Sequence, residues 1–153
     1  MKSFLLSNKT NSPIIPWGNL EDNIFYIGNV PNGYSLAVSP GNSNIVIIDV
    51  DVKNGKNGFL HIPMEISNEL VLSFHYKTKS GGAHYFVHYT GNKILKNCST
   101  KYGLDLRRGS VPGNAGGYVK WHSTKDVKDC IHLIKPSSKI LNKWLEKLFS
   151  NEN

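Results

Sequence analysis

Cysteine is scarce in this chain of 153 residues, and no long apolar run or block of like charge interrupts it. Cys98 and Cys130 match no zinc-ligand spacing and form no disulfide framework, so inert thiols in a reducing compartment are expected. No stretch approaches the roughly 20 apolar residues needed to cross a bilayer. The apolar patch in MKSFLLSNKTN is too short for a secretory signal. A soluble protein of the cytoplasm, with no membrane partner, is the expectation. Repeats, linkers and low-complexity segments are also missing, which predicts a single domain over residues 1–153.

Lysine and arginine outnumber aspartate and glutamate 18 to 11, giving a net charge of +7. That excess suits a polyanionic partner such as nucleic acid or nucleotide phosphate. The lysines are scattered, so there is no basic tail.

Residues 1–18 read as strand or loop, ending in a proline-rich turn around Pro13, Pro16 and Trp17. Glu21 and Asp22 are placed to start a short helix over Leu20–Ile27. Tyr34–Val38 and Ile45–Asp51 read as strands, and Pro63 leaves residues 59–70 ambiguous. Val71–Thr78 and Ala83–Tyr89 read as a hairpin joined by Lys79, Ser80, Gly81 and Gly82. A strand begins at Gly103–Arg107, a glycine-rich loop covers Gly109–Gly117, and Tyr118–Trp121 follows as strand. Ser137 or Ser138 caps a final helix with Ile140, Leu141, Trp144, Leu145, Leu148 and Phe149 on its core stripe. The predicted fold is therefore α/β of the α+β kind, a mixed, mainly antiparallel sheet flanked by a few helices.

Three segments carry chemistry. The first is IVIIDVDVKNGKNG, Ile45–Gly58, where a β-branched run ends in Asp49 and Asp51. Residues i and i+2 of a strand share a face, with α-carbons roughly 6.5–7 Å apart. Two carboxylates on one face of a buried strand need positive compensation, and a divalent metal supplies it. A turn-opening role for one aspartate is the competing explanation. The second is SGGAHYFVH: Ser80, Gly81 and Gly82 offer a hydroxyl and unhindered amides, and His84 follows as a donor to phosphate. Taken alone, it is also an ordinary Gly-Gly hairpin. His88 shares the face of His84 and Phe86 and reads as structural, while His61, His75, His122 and His132 have no motif around them. The third is GLDLRRG, where Asp105 and Arg107 share a polar face. Alone it is a surface ion pair; beside the first two it is a third carboxylate and a phosphate clamp.

In this order the segments resemble the bifunctional DNA primase/polymerase (prim-pol) domain of the archaeo-eukaryotic primase superfamily, found in plasmids, phages and related mobile elements. The resemblance runs from about Pro13 to Ser123. Asp49 and Asp51 match its Asp-x-Asp metal motif, Ser80 and His84 its nucleotide-binding motif with Thr78 in place, and Asp105 its third motif. GNAGGYVKW is similar to the family's Gly-Gly-Tyr-Val strand and PIIPWG to its Pro-Trp entry. The stretch before Asp49 is shorter than in the family, and the helix between the first two motifs is shortened around Pro63.

The resemblance implies a primase-like catalytic core that performs nucleotidyl transfer in DNA synthesis. Two Mg²⁺ or Mn²⁺ ions would sit on Asp49, Asp51 and Asp105. Ser80, Gly81, Gly82, His84 and Arg107 would hold the triphosphate, with Lys53 a weaker phosphate ligand. The implied partners are nucleoside triphosphates, single-stranded DNA template with primer, and a helicase on a separate chain, in the host cytoplasm. A metal-dependent nuclease using the same carboxylates, and a nucleic-acid-binding module without turnover, remain open alternatives.

Overall fold

The computed structural model describes residues 1–111, 114 and 116–150. Parts of the predicted glycine-rich loop, Pro112, Gly113 and Ala115, therefore lie outside the described residues. In chain order the strands are β1 (Lys2–Ser7), β2 (Ser12–Pro13), β3 (Tyr34–Ser39), β4 (Ile45–Val50), β5 (Val52–Lys53) and β6 (Lys56–Asn57). After helix α1 (Met64–Leu70) come β7 (His75–Lys77), β8 (Ala83–His88), β9 (Cys98–Ser99), β10 (Leu104–Arg108) and β11 (Val119–Lys120). Helix α2 (Val127–Cys130), β12 (Lys135–Pro136) and helix α3 (Lys139–Phe149) complete the described elements, with short 3₁₀ turns at Trp17–Asn19, Gly58–His61 and Ile131–Leu133.

This is an α+β fold, as the strand and helix patterns predict. A six-stranded sheet runs β12–β8–β4–β10–β9, with β7 also on the outer edge of β8. All its pairings are antiparallel except β12 with β8. A four-stranded sheet runs β11–β3–β1–β2.

Strand β4 is central because its β-branched residues are apolar on both faces. Val46, Ile48 and Val50 face a core completed by Tyr85 and Val87 of β8, Leu104 and Leu106 of β10, Ile66 and Leu70 of α1, and Leu141, Leu145 and Phe149 of α3. Ile45 and Ile47 face the other way, with Phe86 and Phe74, onto Val38 and Val119 of the second sheet and Val127 and Cys130 of α2. Burying each such side chain is worth about 1.5–3 kcal/mol.

Ser138 caps α3 by accepting from the Leu141 amide, and Glu69 of α1 accepts from the Ser138 amide at 2.9 Å, which ties the two helices together. The α3 stripe differs from expectation at its start. Ile140 is 56 % exposed, while Asn142 is buried, its side chain satisfied by Ser137 and Thr90. A satisfied amide is tolerated in a core, so polarity did not mark the buried face here. Pro63 opens α1 instead of breaking it, since a proline at a helix start loses no intrahelical bond.

The helix expected over Leu20–Ile27 is not formed. Its backbone bonds to β1 instead: the Ser3 amide donates to the Ile24 carbonyl at 3.0 Å and the Tyr26 amide to Ser3 Oγ at 2.8 Å. Asp22 accepts from the Asn42 amide, and Asn23 takes a positive φ of 63°. Asp22 thus anchors a strap held against β1 and caps no helix, while Glu21 is exposed.

Candidate metal and phosphate site

Strand register builds the site. Tyr76 pairs with His84, His84 with Asp49, Asp49 with Asp105, and Asp105 with Ser99. Residues directly opposite one another across an antiparallel pair point to the same side. One row across five strands therefore presents a phenol, an imidazole, two carboxylates and a hydroxyl on one face. The alternation that sends Ile48 and Val50 into the helix-covered core sends Asp49 out of it.

Asp51 joins from just beyond β4. Its amide donates to the Gly103 carbonyl at 2.8 Å, and its carbonyl accepts from the Gly58 amide at 2.9 Å. That clamp needs glycine: a Cβ on Gly58 would stand 2.2 Å from the Gly103 oxygen. One carboxylate oxygen from each of Asp49, Asp51 and Asp105 lies within 4.8 Å of the other two. The cluster can hold a metal ion.

Burial and then the Asp49 charge raise the Asp51 carboxyl above its ordinary value; Asp105 adds to the rise, and Lys53 and His84 act against it. Crowded carboxylates in a partly buried site are the donor set that a hard divalent cation fits. Lys53 is 3.9 Å from Asp51 but largely exposed, and Arg107 is 3.5 Å from Asp105.

His84 is buried beside this cluster. Its Nε2 lies 3.1 Å from Asp49 Oδ1, and its Nδ1 is 2.8 Å from the Tyr76 hydroxyl, which is also 3.0 Å from the Lys120 carbonyl. Burial drives the Tyr76 phenol far above the usual tyrosine range, so it stays protonated. His122 stands next to both, its ring centre 5.8 Å from that of His84. Burial and the nearby His84, Lys79 and Lys120 hold His122 below its ordinary pKa.

The turn before β8 is tight. Gly81, at a φ of +91°, donates its amide to the Thr78 carbonyl at 3.1 Å, so that amide serves the turn and is not offered to a ligand. Gly82 abuts the end of β4, where a Cβ would meet the Val50 oxygen at 2.0 Å. Ser80 Oγ lies exposed at 3.3 Å from Thr78 Oγ1.

The loop holds five residues, Thr78–Gly82, between the paired Lys77 and Ala83. Placing the turn over Lys79–Gly82 shifts the register by one residue and hides the Tyr76–His84 pairing, which is why sequence reading missed Tyr76. A closing bond from the Thr78 amide to the Gly82 carbonyl sets the observed register. His122 carried no motif signal. His88 sits at the far end of β8 opposite Ile45, away from the row.

Beside the site runs a groove of about 1210 Å³. Lys77, Lys79, Lys120, Lys125 and Lys128 line it, and Asp126 is the acidic residue among them. The strap contributes the exposed Ile24, Ile27 and Val30 to its wall. Among the described residues no helix is long and apolar enough to cross a membrane.

Comparison with known proteins finds no family model that matches the chain and no matching curated protein.

Proposed function

We propose that the chain is a primase-like nucleotidyltransferase, extending DNA on a single-stranded template with nucleoside triphosphates. The observation that carries this is the convergence of Asp49, Asp51 and Asp105 with His84 at their edge. Three carboxylates would hold two Mg²⁺ or Mn²⁺ ions, and bound there the ions would activate a 3′-hydroxyl and neutralise the triphosphate. His84, Ser80 and Arg107 would bind the phosphates and set the α-phosphorus in line with the attacking hydroxyl, and pyrophosphate would leave. Lys53, largely exposed, would screen charge at the rim of the site. The groove beside His122 supports a strand as the second substrate: its lysines match a phosphate backbone and its apolar wall matches unstacked bases. A helicase on a separate chain would supply that strand.

The test is a labelled primer–template incubated with each metal, with dNTPs, with NTPs and with neither. Nucleotide-dependent lengthening is expected, and Asp49→Ala with Asp51→Ala should abolish it. Shortening without nucleotide makes the protein a nuclease. Metal binding with no reaction makes it a non-catalytic module.

A further inference from the structure

The His84 ring must be held at the edge of the acidic cluster to act there. A histidine has two free side-chain torsions, and strand pairing fixes only its backbone. Among the described residues, one of the two polar contacts of its side chain is Asp49, a carboxylate that would turn its oxygens to a metal. The other is Tyr76.

Tyr76 is built for one orientation. It stands directly opposite His84, and its ring packs against Trp121 at 5.2 Å, Phe74 at 5.9 Å and Phe86 at 5.9 Å. Its hydroxyl reaches across to the Lys120 carbonyl of β11, in the other sheet. The hydroxyl carries one proton and has two acceptors within reach. If that proton goes to Lys120, His84 must donate from Nδ1. If it goes to Nδ1, His84 must carry its proton on Nε2, facing Asp49. Either arrangement gives each ring nitrogen one defined role and fixes one ring plane.

We propose that Tyr76 is a positioning residue for His84: its hydroxyl, anchored on the Lys120 carbonyl of the second sheet, holds the imidazole toward the acidic cluster and toward a bound triphosphate. The role in nucleotide binding rests on the function proposed above; the role in holding the ring does not. The link also makes the register of β11 against β3 a condition for the orientation of a side chain on β8. Nothing in the order of the motifs signals this, because Tyr76 lies before the turn and Lys120 lies 44 residues away.

Tyr76→Phe keeps the ring contacts and removes the hydroxyl, and two readouts decide the proposal. The first is the pair of His84 ring-nitrogen resonances in ¹⁵N-histidine-labelled protein without metal or nucleotide. The wild type should show a single tautomer, and Tyr76→Phe a shift toward the averaged values of a free imidazole. Averaged values in the wild type overturn the proposal even if the variant fails to fold. So do unchanged His84 resonances in a folded variant.

The second readout is binding of dATP with Mn²⁺. Tyr76→Phe should weaken it about threefold to tenfold, the loss of one neutral hydrogen bond, with Mn²⁺ binding alone unchanged. Added to His84→Ala, Tyr76→Phe should cost nothing further, because it acts through that ring. Independent losses overturn the proposal. Should the wild type bind no nucleotide, the nucleotidyltransferase reading fails, and the ring nitrogens alone decide the role of Tyr76.

Discussion

The two faces of the central sheet solve opposite problems with the same three strands. On the helix-covered face, Val46, Ile48, Val50, Ala83, Tyr85, Val87, Leu104 and Leu106 form a continuous apolar surface under α1 and α3. On the other face, Ile47 and Phe86 are apolar under the second sheet, but one residue pair further on Asp49, His84 and Asp105 replace them. The difference teaches where a fold can afford a charged cluster. The end of that face that carries the carboxylates is not sealed: the side chains of Asp49, Asp51 and Asp105 keep 18, 24 and 12 % of their exposure, so they retain some contact with water. The unbroken apolar face behind them supplies the stability that their mutual repulsion lowers.

The comparison breaks most sharply under truncation on the apolar face. Ile48→Ala leaves a cavity between β4 and the helices and should cost about 2–5 kcal/mol, read by denaturant unfolding. Asp49→Asn, one position along the same strand, should cost far less without metal, because it removes a repelling charge. Equal losses at the two positions would mean that the faces do not divide the work in this way.

A smaller effect lies in the groove. Lys79→Ala and Lys120→Ala should each reduce the salt dependence of single-stranded DNA binding by about one unit of slope, uniformly across sequences. Lys143→Ala, on the solvent side of α3, should leave it unchanged. Fluorescence anisotropy over a salt series reads both.

The smallest is a pH effect. The folded-state pKa of Asp51 is raised by burial and by Asp49. Its contribution to stability is thus present below the ordinary carboxylate pKa and lost as pH rises through the raised one. Without metal, Asp51→Asn should therefore gain on the wild type as pH rises through that window and hold the gain at neutral pH. Thermal unfolding across the acid range checks the sign; the opposite trend would put Asp51 outside the acidic cluster.

Much of this arrangement was legible in the residues. The run Ile45–Asp51 declared a buried strand with two aspartates on one side, and Leu104–Leu106 flanking Asp105 declared a second strand with the same alternation. The serine pair Ser137 and Ser138 before an apolar stripe declared the cap of α3, which Ser138 supplies. Long-range pairing left no such local mark. Nothing near Leu20–Ile27 shows that its amides and carbonyls belong to β1, and an acidic start without a continuous apolar stripe proved a weak helix signal. Tyr76 was hidden by a single residue of hairpin register, since a slip of one exchanges the two faces of a strand. The strands that carry the carboxylates and the final helix were open to reading from sequence, whereas α2, β9 and β12 were not; the partners across the sheets were set by packing between segments far apart in the chain.

The central claim is that Asp49, Asp51 and Asp105 act together as a metal site on the uncovered face. Calorimetric titration of Mn²⁺ and Mg²⁺ into the wild type and into Asp49→Asn/Asp51→Asn tests it directly, with thermal unfolding at matched metal concentrations. The wild type should bind and, at a hundredfold excess over its dissociation constant, gain about 2.7 kcal/mol of stability; the double variant should gain almost none. Equal binding and equal stabilisation of the two proteins would contradict the account.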